Sequence, residues 1–119
     1  MRRQTAQKRV ERQVAMAIYQ MFEWQISPGR QEAVLAMESA FLAAMQRIGG
    51  KPVGGFTTAV GDVSRLLALV AYDDFAAYGK ANQAAQQDAD LQKLGQASSG
   101  LISQVNISIL QPTPGSALK

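Results

Sequence analysis

The run Leu66–Tyr72 constrains this chain more than any other stretch: seven consecutive residues carry no charge, bounded by Gly61-Asp62 upstream and Asp73-Asp74 downstream. A strand with one wet face alternates apolar and polar side chains. This one does not alternate, which is the pattern of a strand covered on both faces. The weaker stretch Val53–Val60 precedes it, with Pro52 near its start and Gly54-Gly55 inside it, so that strand suits a sheet edge. Gly61-Asp62 joins the two as a hairpin. Asp73 or Asp74 then accepts the first backbone N–H groups of a helix. Gly55–Phe75 therefore reads as a hairpin with a buried second strand, running directly into a helix.

The remaining elements fall on either side of this unit. Met16–Ser27 is rich in β-favouring residues, with Ile18, Tyr19, Met21, Phe22, Trp24 and Ile26 on both parities, which again predicts burial on two faces. Pro28-Gly29 ends it. Val34, Met37, Phe41, Ala44, Met45 and Ile48 recur at helical spacing across Gln31–Ile48. Glu32 and Arg47 lie at the ends of that helix where the dipole favours their charges, and Gly49-Gly50 stops it. The helix after Asp73-Asp74 has a thin apolar face of Phe75, Tyr78, Ala81 and Ala85, and Asp88-Ala89-Asp90 marks a fresh helical turn carrying Leu91 and Leu94. Gly95–Gly100 reads as a loop of small residues. Leu101–Leu110 alternates, with Val105, Ile107 and Ile109 on one face and Gln104, Asn106 and Ser108 on the other. Pro112 and Pro114 close the ordered domain and leave a loose tail. The division is a basic extension over 1–15, one domain over 16–112 and a tail over 113–119.

Composition limits the chemistry. The 119 residues include no cysteine and no histidine, so disulfides, thiol nucleophiles, imidazole bases and the usual zinc and haem ligands are absent. Metal and cofactor sites are accordingly not expected. The net charge of +3 arises in the first twelve residues, where five basic side chains face only Glu11; the other seven basic and eight acidic residues leave the body at −1. A nucleic-acid-binding face on the folded domain is not expected. No stretch approaches the roughly 18 uninterrupted apolar residues of a membrane span. The basic extension reads as a solvated segment of a cytoplasmic protein. The alternative is a mitochondrial targeting segment, against which Glu11 and a poor apolar face count.

The order β-α-β-β-α-β is the split βαβ arrangement of ferredoxin-like α+β folds, with a four-stranded antiparallel sheet and two helices on one face. Strand order 4-1-3-2 places the first and third strands in the centre, and those are the two that read as buried on both sides. Two helices cover one face only. The second apolar face then needs a partner, and a two-fold homodimer laid sheet to sheet is the commonest solution.

Four segments resemble the NIPSNAP family of the dimeric α/β-barrel superfamily. Tyr19–Arg30 resembles its opening Tyr-Glu-Leu-Arg-x-Tyr-x-Leu-x-Pro-Gly stretch, and Gly54–Asp62 with Arg65 resembles its Gly-x-(Phe/Tyr)-x-Thr…Gly-Asp-x-x-Arg hairpin. Ala71-Tyr72-Asp73 matches the strand-to-helix junction, and Ile109-Leu110-Gln111-Pro112 the closing strand. Two positions depart: Phe22 stands where the family has a first-strand arginine, and Leu91 where it has an aromatic. The resemblance implies a dimeric α/β barrel. It implies bacterial relatives that are uncharacterised dimers, animal relatives associated with mitochondria and vesicle interactions, and more distant cofactor-free oxygenases, dehydratases and isomerases.

Two functions follow as expectations. The first is a homodimeric small-ligand-binding or scaffold domain, with Trp24, Tyr72, Gln104 and Asn106 as ligand-binding candidates. The alternative is a cofactor-independent barrel enzyme acting on a small apolar or aromatic substrate, with Glu23, Trp24 and Arg65 as catalytic candidates. Glu23 stands out because it interrupts an otherwise apolar strand, and burial would raise its pKa and suit it to act as a base. More ordinary roles compete with each: Trp24 and Tyr72 as core aromatics, Arg65 as the partner of Asp62, and Gln104 and Asn106 as the polar face of an edge strand.

Overall fold

The computed structural model describes residues 17–119; the expected basic extension lies outside the described residues. Seven elements follow in order: β1 (Ile18–Ile26), α1 (Gln31–Arg47), β2 (Lys51–Thr57), β3 (Arg65–Tyr72), α2 (Phe75–Gln87), α3 (Ala89–Ala97) and β4 (Ile102–Leu110). The strands form one antiparallel sheet in the order β2-β3-β1-β4. This is the ferredoxin-like α+β arrangement, with β1 and β3 central as the apolar patterning predicts.

Register explains how one face became the core. Ile18, Gln20, Phe22, Trp24 and Ile26 of β1 share a side with Leu66, Ala68, Val70 and Tyr72 of β3. All nine are buried. Val34 and Met45 of α1 and Ala81 of α2 pack onto them. The opposite parity, with Met21, Glu23, Leu67, Leu69 and Ala71, is only partly covered. Expected burial on both faces is thus met on one face within a single chain, because all the described helices lie on the other parity's far side.

Element ends follow from local chemistry. Asp74 accepts the Ala77 N–H at 2.8 Å and starts α2, and Asp88 accepts the Leu91 N–H at 2.9 Å and starts α3. Side chains of this kind satisfy donors that the first helical turn cannot pair internally. α1 closes through Gly50, whose N–H donates to the Met45 carbonyl at 2.8 Å. A Cβ at Gly50 would lie 2.7 Å from Val70 Cγ1 and 3.0 Å from the Met45 oxygen. Only glycine lets the chain pass this close to the core before β2.

Three expectations are corrected. Gly95–Gly100 is not wholly loop, since Gly95, Gln96 and Ala97 complete α3; the Ser98 N–H still reaches the Leu94 carbonyl at 2.9 Å, so the helical ladder runs past Gly95. β2 ends at Thr57 rather than Val60, and Thr58–Ser64 forms the connection to β3. The tail beyond Pro112 folds back instead of running free: the Ser116 N–H bonds the Thr113 carbonyl at 3.0 Å, and Pro112 and Leu118 lie with Tyr19 and Leu69 around one hollow on the open face.

Candidate functional site

The alternation of each strand divides the candidate residues between two sides of the sheet, so they do not converge on one site. Trp24 and Tyr72 belong to the helix-facing side. Glu23, Arg65, Gln104 and Asn106 belong to the open side, where Glu23 pairs in register with Asn106 and Leu67, and Gln25 with Gln104 and Arg65.

On the helix side, Trp24 forms the floor of a 190 Å³ cleft between α1, α3, β1 and β4. Phe22, Met37, Phe41, Leu91, Leu94, Ile102, Val105 and Ile107 complete its apolar lining. The Phe41 ring stands edge-on to both Phe22 and Trp24, with centroids 4.9 and 5.1 Å away. Such edge-to-face contacts orient rings as well as bury them. Ser98 supplies the only side-chain hydroxyl, and it already donates to the Gly95 carbonyl at 2.7 Å. No charged side chain lines this cleft.

The position of α3, one wall of the cleft, is fixed by Asp88. That carboxylate caps α3 and also receives two hydrogen bonds from Arg47 Nη2, at 2.6 and 2.7 Å. The hydrogen bond from Arg47, aided by the Leu91 N–H, holds the Asp88 carboxyl below its ordinary range. One aspartate therefore ties the end of α1 to the start of α3.

Tyr72 lies outside the cleft. It is 2% exposed, and its hydroxyl donates to Gln20 Oε1 at 2.8 Å. Burial, with a smaller contribution from Tyr78, pushes the phenol up to about 12. This buried polar pair was not anticipated in full. Its signal in the sequence was Gln20, a polar residue on the core parity of an apolar strand.

On the open side, Arg65 lies between two acids, its guanidinium 3.8 Å from Glu23 and 3.7 Å from Asp62. The pairing of Arg65 with Asp62 agrees with expectation. Ser64 donates from both its N–H and hydroxyl to Asp62, and Gln25 donates to the Ser64 hydroxyl. Bonds from Ser64, with the Arg65 charge adding, lower the Asp62 pKa. Glu23, Asp62 and Arg65 border a 380 Å³ depression with Met21, Thr58, Val60 and Leu67. The Glu23 side chain retains 23% exposure, so the burial that would have suited it to act as a base is not met in the single chain. A further carboxylate, Glu38, is raised by burial where it lies against Gly55 on the helix side; a Cβ at Gly55 would collide with it.

The NIPSNAP family model matches residues 19–117. The chain belongs to the NIPSNAP family. The match runs from β1 through the folded-back tail, and so spans both the cleft and the open-face cluster. Similar solved structures include a NIPSNAP family protein from Agrobacterium tumefaciens, 23% identical over 87% of this chain and 92% of that one, with TM-score 0.77. A second NIPSNAP family protein from the same organism, described as of unknown function, is 17% identical over 88% and 96% of the two chains, also at TM-score 0.77. A NIPSNAP-like domain protein from Burkholderia xenovorans is 18% identical over 86% and 90%, at TM-score 0.72. At these identities the likeness concerns the fold. No curated protein matches the chain. Among the described residues of this NIPSNAP chain, no helix is long and apolar enough to cross a membrane.

Proposed function

We propose that this NIPSNAP chain is a homodimeric binding domain, paired through its open sheet face and holding a small apolar ligand in the helix-side cleft around Trp24. The cleft lining carries the reading: aromatic and aliphatic side chains, one hydroxyl already engaged, and no charge. Such a lining favours burial of a ligand over chemistry on it, which requires proton-transfer or charge-stabilising groups at the reacting atoms. Its volume suits a small apolar group, since cavities of about 150 Å³ lined by aliphatic and aromatic residues hold a molecule the size of benzene. Support for the dimer comes from the half-covered apolar residues Met21, Leu67 and Leu69 on the two central strands. A second sheet laid on them closes the barrel. The protein acts in the cytoplasm on this reading, with mitochondria as the alternative set by the basic extension.

Trp24 is the single tryptophan of the chain, so its emission reports on the cleft alone. Titration with toluene is expected to shift that emission saturably. Leu94→Phe, which adds bulk to the cleft, weakens the binding by about tenfold or more. An unchanged emission spectrum at saturating toluene refutes the ligand-binding reading.

The second reading is a cofactor-independent barrel enzyme of oxygenase, dehydratase or isomerase type. The open-face depression favours it, where Glu23 and Arg65 face each other beside Asn106 and where a partner sheet would exclude water. Tyr72 and Trp24 lie on the other side of the sheet from that depression, and Gln104 lies on the open side opposite Gln25, outside its lining. A ligand whose binding survives Leu94→Phe but is lost in Glu23→Gln identifies the open face as the site.

A further inference from the structure

The cleft does not end at α3. Val105, Ile107 and Ile109 of β4 lie in register with Trp24, Phe22 and Gln20, and so face the helix layer. They nevertheless remain 48%, 55% and 36% exposed, because no described helix extends over this edge strand. Val105 and Ile107 also line the cleft, which makes the cleft and the row one continuous apolar surface. The opposite parity of the same strand carries Gln104, Asn106 and Ser108. An edge strand that presents aliphatic side chains on its uncovered helix side and polar ones on the other is not a uniformly solvated edge.

We infer that the cleft and the β4 row together bind a straight hydrocarbon chain, the alkyl portion of an acyl or alkyl compound, with the polar end left in water. The inference rests on the reading that the cleft takes an apolar ligand, and it specifies the shape of that ligand. From Val105 to Ile109 the strand advances about 14 Å, which matches an extended chain of roughly ten carbons at saturated bond lengths. The row is a single file of alternate side chains along one strand, a linear apolar track that continues the cleft. The uncharged lining offers nothing to pair with a charged headgroup.

A series of butanol, hexanol, octanol and decanol, followed by Trp24 emission, tests the length of the site. Affinity is expected to rise about twofold per methylene through decanol, since a chain on this open row is covered on one side and gains roughly half the increment of a fully buried CH₂ group. Ile109→Thr lies beyond the cleft and keeps a β-branched residue in the strand. It is expected to leave butanol and hexanol binding unchanged and to flatten the gain thereafter. A parent protein whose affinity stops rising at hexanol overturns this inference while leaving the ligand-binding cleft standing. Equal slopes in the parent and Ile109→Thr do the same. If no alcohol binds while toluene does, the hydrocarbon-chain inference falls and the cleft stands; if neither binds, both readings fall. Sedimentation of the same variant covers the remaining occupant: loss of self-association in Ile109→Thr makes the row a contact between copies of the chain and overturns the hydrocarbon site.

Discussion

Removing the Tyr72 hydroxyl separates what the core owes to apolar packing from what it owes to one buried polar pair. Tyr72→Phe keeps the ring, its burial and its edge-on contact with Tyr78 at 5.3 Å. It deletes only the donor to Gln20 Oε1. Gln20 is 8% exposed, so its carbonyl oxygen has little access to water as a replacement partner. Leaving such a group unsatisfied costs about 1–3 kcal/mol, beyond the net worth of the bond itself. Urea denaturation at fixed protein concentration should therefore show a loss of about 2 kcal/mol with an unchanged slope. Gln20→Leu, which strands the phenol instead, should cost a similar amount. The double variant should fall well short of the sum, with a coupling of about 2 kcal/mol, because two apolar groups of like shape leave nothing unpaired.

Alkali provides an independent reading of the same pair. The phenol is held at about 12 in the folded chain against an ordinary 10.0. Below pH 10 it is protonated in both states and its stabilisation is complete. As the pH rises through that window the unfolded chain ionises first, and stability falls by at most about 2–3 kcal/mol at 1.36 kcal/mol per pH unit. Tyr72→Phe lacks this component, so the stability gap between parent and variant should narrow from pH 10 towards 12. A loss under about 0.5 kcal/mol in Tyr72→Phe, together with parallel alkaline profiles, would show that the hydroxyl is solvated and refute the reasoning.

Gly50→Ala forces a methyl against Val70 and the Met45 carbonyl and should cost about 1–3 kcal/mol by overpacking, part of it recovered against the Val70→Ala background; simple additivity in a double-variant cycle would exclude the steric cause. Asp88→Ala should lower the melting temperature more than Asp88→Asn, because asparagine still caps α3. The depressed Asp88 pKa means that its contribution is complete above the ordinary 3.8 and fades as pH falls through the lower folded value; acid should therefore penalise the parent more than Asp88→Asn, and identical acid profiles would count against the Arg47 latch. For the proposed sheet-to-sheet dimer, Met21→Lys places a charge at the centre of the open face and should sediment as a folded monomer at concentrations where the parent is expected to self-associate; a parent that sediments as a monomer, or a Met21→Lys dimer of unchanged stability, would remove that interface from consideration.

The Asp88 and Gln20 cases show how far local patterning reaches. Asp88 was legible as a helix start because a carboxylate before Ala-Asp-Leu has a local job, satisfying the first free N–H groups. Its second role, receiving Arg47 from forty-one residues earlier, depends on where α1 ends in space. Gln20 is a polar residue within an apolar strand, but nothing local marks it as half of a pair, since its partner lies across the sheet on β3. The cleft itself was not legible. Phe41 on one helix and Leu91 and Leu94 on another read as core-facing residues, and nothing in their spacing shows that they stop short of filling the space above Trp24.

By itself, the sequence determined the elements, their order, the central placement of β1 and β3 and the family, because these depend on periodicity and on residues near one another in the chain. The uncharged run Leu66–Tyr72 predicted two covered faces, and the single chain covers one of them. Tertiary structure alone decided which parity meets the helices, and with it the separation of Trp24 and Tyr72 from Glu23, Arg65, Gln104 and Asn106. A strand turns every second side chain to the opposite face. Residues adjacent in sequence, such as Glu23 and Trp24, therefore end on sites that cannot act together.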